Sequence, residues 1–170
     1  MIFNQKLNHY QKLFLLTLTN ILMVNYSLNA QEKEIFVNPN NGNKYFLTSE
    51  MSWQDAQNLA EKMGGNLVTV NDEKENQWLI ETFITSETNF LWIGINDQAV
   101  EGKFIWISGE MSNYLNWAEG EPNNNPQQGG EHFGVINGLN NPFKRPVGTW
   151  SDAPEQAKLK GIIELKNNQN

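Results

Sequence analysis

Three acidic motifs in the C-terminal half of the chain carry the residues most able to do chemistry. They are Glu121-Pro122-Asn123 within GEPNNN, Glu131 after Gly129-Gly130, and Trp150-Ser151-Asp152. Glu121, Asn123, Glu131 and Asp152 offer carboxylate and amide oxygens, the donors of which Ca²⁺ takes about 6–8 in flexible geometry. An X–Pro bond adopts the cis form at modest cost, and a cis Glu121-Pro122 bond would turn the flanking Glu121 and Asn123 carbonyl groups one way. If the three carboxylates meet, each like-charge pair at about 4 Å costs roughly 1 kcal/mol in water and about 4 kcal/mol at an effective dielectric of 20. A counter-ion relieves that cost, so the loops are expected to loosen when Ca²⁺ is withdrawn. Each motif alone reads as a solvated surface group; the three gain meaning only if the fold assembles them.

Glu121 and Glu131 also suggest a glycosidase carboxyl pair, which needs two carboxyls at a defined separation. Nothing else supports catalysis. No Ser-His-Asp set or phosphate-binding loop is visible, and a domain of this size leaves little room for a deep cleft. The chain has no cysteine, which excludes thiol nucleophiles and cysteine-based metal sites. The expectation is a protein that is not an enzyme.

The elements that must position these side chains form two groups. Ile35-Phe36-Val37, the turn Asn38 to Asn43 and Lys44 to Leu47 predict a strand, a turn and a strand. Ser52 with Asp55 three residues later predicts a helix start, and Trp53, Ala56, Ala60 and Met63 recur on one face. Gly64-Gly65 ends that helix. Leu67 to Val70 is strand-like. A second helix is expected from Asn71 or Asp72, with Trp78, Leu79 and Phe83 as its buried edge. Beyond Phe83 the pattern changes to short strands, Phe90 to Ile95, Phe104 to Ile107, Phe133 to Ile136 and Ile162 to Leu165. Long polar stretches, Asn116 to Glu131 and Asn137 to Thr149, separate the later ones; such loops often carry function. Early helices followed by strands and elaborated loops indicate an α+β domain.

The first thirty residues differ from the rest. Lys6, His9 and Lys12 precede an apolar run from Leu13 to Val24, and a polar stretch ends at Ala30. This pattern predicts an export signal over 1–30 and one domain over 31–170. The alternative, a membrane anchor, needs roughly 20 apolar residues, and Thr17, Thr19 and Asn20 interrupt the run. After cleavage no membrane span is expected, and the location is secreted, periplasmic or cell-surface. Residues 31–170 keep all 19 acidic residues but lose Lys6 and Lys12 from the 12 basic ones. That balance repels phosphate backbones, so nucleic acid is an unsuitable partner. Without disulfides the fold must rest on packing, for which all six Trp, seven of the nine Phe and two of the four Tyr fall in residues 31–170 and supply area.

The ordered set of motifs resembles the C-type lectin-like domain family over nearly all of residues 31–170, in a cysteine-free, secreted, bacterial-type form. WQDAQNLAEKMGGNLVTV is similar to the family's first helix and turn. Trp92 to Ile95 resembles its WIGL strand, Phe104-x-Trp106 and Asn116-Trp117 follow in order, and Ile163-Glu164 closes the chain. The resemblance implies a fold of two helices, small antiparallel β-sheets and a long Ca²⁺-binding loop region. It implies that Glu121, Asn123, Glu131 and Asp152 bind both Ca²⁺ and a carbohydrate, with two neighbouring sugar hydroxyls completing the ion's coordination. The EPN form is that of the mannose-type class.

Departures from the family pattern carry their own expectations. Ser151 stands where an asparagine is usual, so it is a weak ligand and the ion is held less firmly. The family's paired cysteines fall on Ala60, Phe133, Glu155 and Ile163. An auxiliary metal site is implied by Asp97 and Glu101, with Glu131 shared, but Asn124 and His132 replace expected carboxylates. The plainer alternative is that Asp97 and Glu101 cap a turn. Trp117 is expected in the core, His132 at a loop edge, and Lys144-Arg145 at a solvated tip, with contact to an acidic sugar or a neighbouring protein as the alternative. The implied partner is a glycan or glycoprotein, with self-association possible; a protein-binding or adhesion module on the same fold, with or without calcium, is the competing function.

Overall fold

Ser52 starts the first helix by accepting a hydrogen bond from the Asp55 amide, and Asp72 starts the second by accepting one from Glu75. Each cap satisfies a backbone N–H that the first helical turn leaves without a partner. The structure, a computed structural model, describes residues 34–126 and 129–167. The expected export signal over 1–30 lies outside them. Among the described residues no helix is long and apolar enough to cross a membrane.

Helix α1 spans Trp53–Lys62 and α2 spans Glu73–Phe83. Helix α1 buries Trp53, Ala56, Gln57 and Ala60. Met63, expected on the same face, is instead the C-cap and is largely solvent-facing. Gly64, at φ 81°, makes the left-handed exit, while Gly65 serves a different need. A Cβ at Gly65 would lie 2.1 Å from the Glu164 carbonyl oxygen, so only glycine lets this turn lie against the last strand. Buried Gln57 then bonds the Leu67 amide at 2.9 Å and Asn66 Oδ1 at 2.9 Å, tying the turn to the helix.

The strands are β1 (Phe36–Val37), β2 (Lys44–Leu47), β3 (Asn66–Leu67), β4 (Phe90–Asn96), β5 (Ile105–Trp106), β6 (Phe133–Asn137), β7 (Trp150–Ala153) and β8 (Lys160–Leu165). They run in the order β1-β2-β8-β4-β6-β7, with β3 added on β8 and β5 on β4. The expected antiparallel sheets are present with one exception. Strand β8 pairs parallel to β4, Leu91 opposite Lys160 and Trp92 opposite Gly161. A parallel neighbour needs a long connection, and residues 97–159 between them provide it. Strand β7 was not anticipated, because its sequence, Trp-Ser-Asp-Ala, carries a polar pair where alternation would place an apolar residue. In the strand-like run Leu67 to Val70 the regular strand ends at Leu67, but buried Val68 still bonds both neighbours, its N–H donating to Ile162 O and its carbonyl accepting from Gly94 N, each at 2.9 Å.

The core replaces disulfides with aromatic packing. Ala60, Phe133 and Ile163, at three of the four expected cysteine positions, sit in one cluster with Trp53, Trp92 and Leu67. Trp53 stacks on Phe133 at 4.7 Å, and burying each such large apolar side chain is worth roughly 1.5–3 kcal/mol. The three tryptophans at 1% exposure or less each have an acceptor for the indole N–H: Ile93 O for Trp53, Met51 O for Trp92 and Asn76 Oδ1 for Trp150. Trp117 packs edge-on against Phe104 and Trp150, on the core side as expected. A polar cluster ties β2 to α2 and β8, with Tyr45 Oη 2.6 Å from Glu75 Oε1 and 2.8 Å from Glu164 Oε1.

Candidate metal and ligand site

The loop that begins at Asn116 is pinned to the start of β7 before it reaches the acidic residues. Trp150 N donates to Asn116 O at 2.7 Å, Ala118 N to Trp150 O at 2.8 Å, and Asn116 Nδ2 to Gly148 O at 2.9 Å. The chain then turns through Glu121, whose bond to Pro122 is cis. Immediately after it, the Asn123 and Asn124 amides donate to the two oxygens of Asp152, at 2.9 and 2.7 Å. Asp152 sits on β7, so the sheet, and not a loop, fixes the carboxylate around which the segment folds.

Glu131 enters from the other end of the loop, two residues before β6. Its backbone N–H donates to Asn124 Oδ1 at 2.9 Å, and its Oε2 accepts from Asn125 N at 3.0 Å. Thus Asn124, one of the positions where a further carboxylate was expected, is spent on closing the loop. Burial pushes the Glu131 carboxyl above its ordinary range, against the pull of the Asn125 hydrogen bond. The negative charge of Asp152 adds to the upward shift.

Glu121 is tightly held, with a side chain only 2% exposed. Its Oε1 accepts from Asn123 Nδ2 and from the Arg145 guanidinium. Its Oε2 is buried and receives no hydrogen bond. The carboxyl lies within hydrogen-bonding reach of Asp152, and burial together with that contact pushes it up to about 7. Two carboxylates facing each other are both acceptors, so a proton or a cation must lie between them when they are close. The donor set is all oxygen, which matches a hard divalent ion. Glu121, Asn123 and Asp152 therefore fit a cation, with buried Glu131 tied into the same loop through Asn124 and Asn125.

Ser151 takes no part in this arrangement. Its hydroxyl exchanges hydrogen bonds with the Asn137 amide at 3.0 and 3.1 Å inside the protein. The expected weak ligand is used to bind β7 to β6.

Asp97 and Glu101 come together with His132. His132 Nδ1 is 3.0 Å from Asp97 Oδ1 and 3.4 Å from Glu101 Oε2. Among the described residues, this is the acid-and-histidine group whose ligand atoms all lie within 4.8 Å of one another; the trio of Glu121, Glu131 and Asp152 is more open. Asp97 also caps its turn, accepting from Gly102 N at 2.7 Å. The plainer expectation for Asp97 thus holds, and the histidine fills the space where an auxiliary carboxylate was expected.

Two features of the site escaped the sequence. Arg145, placed at a solvated tip, is only 20% exposed and docks on Glu121; Lys144 alone keeps the exposed position. A cavity of about 300 Å³ also opens beside the cluster, and its lining includes Asn123, Glu131 and Asp152 together with Phe90, Phe143 and Leu159. The signal for Arg145 was present in its rarity, since it is the one arginine among 12 basic residues. The cavity had none, because Phe90, Phe143 and Leu159 are distant in sequence.

The arrangement has relatives. The family pattern described as the lectin C-type domain matches residues 49–159. The chain is 33% identical over 107 residues to lectin BRA-3 of Megabalanus rosa, covering 62% of this chain and 59% of that protein. It is 34% identical over 129 residues to pulmonary surfactant-associated protein D of Sus scrofa, covering 72% of this chain and 32% of that one. It therefore spans less than two thirds of the length of these curated relatives. Among solved structures, the C-type carbohydrate-recognition domain of cow CD23, crystallised in the presence of a GlcNAc2Man3 oligosaccharide, superposes with a TM-score of 0.63 at 26% identity, covering 74% of this chain and 89% of that one. The pattern match over most of the chain, on a fold with the same loop-bearing sheet, means that the protein belongs to the C-type lectin domain family.

Proposed function

We propose that the protein is a secreted, non-enzymatic carbohydrate-binding module that holds Ca²⁺ at Glu121, Asn123, Glu131 and Asp152 and takes a mannose-type glycan at the same place. The observation that carries this reading is the buried, unbonded Oε2 of Glu121 beside the Asp152 carboxylate. When bound, the ion supplies charge neutralisation and open coordination positions for two neighbouring hydroxyls of a sugar.

The chain's own groups do the rest. Asn123 Nδ2 is a donor on an exposed residue and Glu121 Oε1 the buried acceptor it now bonds; a vicinal diol presents the complementary pair and would take the place of that contact. Asp152 holds the Asn123 and Asn124 amides, so these groups keep their orientation. The apolar wall at Phe90 and Phe143 offers a surface for the ring face of a sugar beyond the first. Support also comes from the likeness to CD23, whose domain was crystallised with an oligosaccharide that contains mannose. The reading includes an export signal over 1–30, a domain over 31–170 and a glycan or glycoprotein partner. Single sites of this kind bind weakly and gain strength through clustering, so self-association belongs to the proposal.

Retention on immobilised mannan tests it. The protein should bind in millimolar Ca²⁺, elute with a chelator or free mannose, and fail to bind as Asp152→Asn. Retention that neither chelator nor that substitution changes would overturn the calcium-dependent reading. A second reading, a protein-binding module on the same fold, is favoured by one observation: Arg145 already supplies a cation to Glu121. That reading gains if mannan is ignored with and without Ca²⁺.

A further inference from the structure

The connection between β6 and β7, residues 138–149, is not a slack loop. Asn141 is buried and clamps it from within: its Nδ2 donates to Gly138 O at 2.7 Å and to Arg145 O at 3.0 Å, while its Oδ1 accepts from Arg145 N at 3.0 Å. At the far end Gly148 O accepts from Asn76 and Asn116. The backbone of Arg145 is thereby held at both its N–H and its carbonyl.

Its side chain is held as well. The guanidinium lies 4.6 Å from the centroid of the Phe143 ring, and that ring leans on Phe90 at 6.2 Å. From this stack it donates to Glu121 Oε1. The residue type matters, because a planar guanidinium can stack on an aromatic ring and bond a carboxylate together, which a lysine ammonium does poorly. Eleven of the 12 basic residues are lysines; the single arginine stands at this point.

We propose that Arg145 is a built-in counter-ion of the carboxylate cluster, which keeps the cluster assembled without metal and lowers its affinity for Ca²⁺. The proposal rests on the reading of Glu121, Asn123, Glu131 and Asp152 as a cation site. A unit positive charge held against one ligand acts on an incoming divalent ion in two ways. It repels the ion, and it occupies a carboxylate oxygen that the ion or the glycan would otherwise use. Both effects have the same sign. At a dielectric near that of water and a separation of several ångströms, the repulsion alone amounts to about a tenfold loss in affinity, and a lower effective dielectric enlarges it. The same charge offsets the repulsion among Glu121, Glu131 and Asp152 when no ion is bound, so the loops should not fall apart in chelator.

The test is a calorimetric Ca²⁺ titration of wild type, Arg145→Gln and Asp152→Asn after chelator treatment, with melting curves in chelator for each. Arg145→Gln should bind Ca²⁺ at least about tenfold more tightly than wild type and melt at a lower temperature in chelator, with Ca²⁺ restoring the difference. Phe143→Ala removes the exposed ring that docks the guanidinium and should also tighten Ca²⁺ binding; it keeps the test open if Arg145→Gln does not fold. Equal or weaker Ca²⁺ binding by folded Arg145→Gln or Phe143→Ala, while Asp152→Asn abolishes it, overturns the role of Arg145 and leaves the cation site standing. If none of the proteins takes up Ca²⁺ at millimolar concentration, the cation reading is lost, and this proposal with it.

Discussion

The half of the molecule built on α1, β3, β4 and β8 and the loop face between Asn116 and Thr149 are held by opposite means. In the first, Trp53, Trp92, Leu67 and Ile163 pack with Phe133 of β6 into an apolar cluster, while the one buried carboxylate of β8, Glu164, is bonded by Asn43 and Tyr45. In the second, the backbone of Asn123, Asn124 and Asn125 hangs on the carboxylates of Asp152 and Glu131, and Glu121 leans on a guanidinium. Apolar packing responds little to ions or pH, whereas a carboxylate-centred loop responds to both. A lectin-type module without disulfides thus joins an apolar scaffold to a face built on carboxylates.

The largest effect should come from the scaffold. Trp53→Ala removes the ring stacked on Phe133 and the indole donor to Ile93 O, which should cost about 3–5 kcal/mol of stability. Denaturant unfolding measures it, and the loss should be the same with Ca²⁺ or chelator. A cost that shrank markedly in Ca²⁺ would break the separation between the two regions.

On the loop face, Asp152→Ala should reduce Ca²⁺ affinity at least about a hundredfold, or roughly 2.7 kcal/mol, because it removes a charged donor and the acceptor of two backbone amides. Its cost in global stability should be smaller than that of Trp53→Ala. Gly65→Ala follows at about 1–3 kcal/mol, since the new Cβ would press on the Glu164 carbonyl. Its Ca²⁺ affinity should stay at the wild-type value. A change there would mean that the turn after α1 and the loop face are coupled.

The smallest effect is the pH dependence. Burial raises the carboxyls of Glu75 and Glu131 above the ordinary 4.5, and burial with the Asp152 contact raises Glu121 to about 7. A carboxyl raised on folding binds its proton more tightly in the folded state. Its contribution is complete below about 4.5 and is lost as pH rises through the raised value, near 7 for Glu121. In chelator, the melting temperature should therefore decline between pH 5 and 8. Added Ca²⁺, which favours the ionised Glu121, should stabilise the protein more at pH 8 than at pH 6. A melting temperature that climbed from pH 5 to 8 in chelator would contradict the picture of carboxyls raised by burial.

What could be read from the sequence divides along the same line. Both helices were legible to within a residue or two because Ser52 and Asp72 are local caps and the apolar spacing is helical. The buried core strands were legible as apolar runs. Strand β7 was not, because its pairing with β6 overrides a polar local sequence. The residues Glu121, Asn123, Glu131 and Asp152 stood out by type and order, and the fold gathers them on one face. Ser151 was misjudged because its hydroxyl answers to Asn137, fourteen residues away. Arg145 was misjudged for a related reason. A basic residue in a polar loop reads as solvated unless the loop's return over the carboxylates is known, and that return depends on Asn141 and on the Asn76 and Asn116 contacts to Gly148.

The most direct measurement of the central idea is the linkage between ion and sugar. Ca²⁺ should be titrated into chelator-treated protein with and without saturating mannose, for wild type and Asp152→Ala. If glycan and ion share the Glu121 and Asp152 site, mannose must tighten Ca²⁺ binding, Ca²⁺ must tighten mannose binding by the same factor, and Asp152→Ala must lose both. Ca²⁺ binding that mannose leaves unchanged, or that persists in Asp152→Ala, would show that sugar and ion do not meet at these side chains.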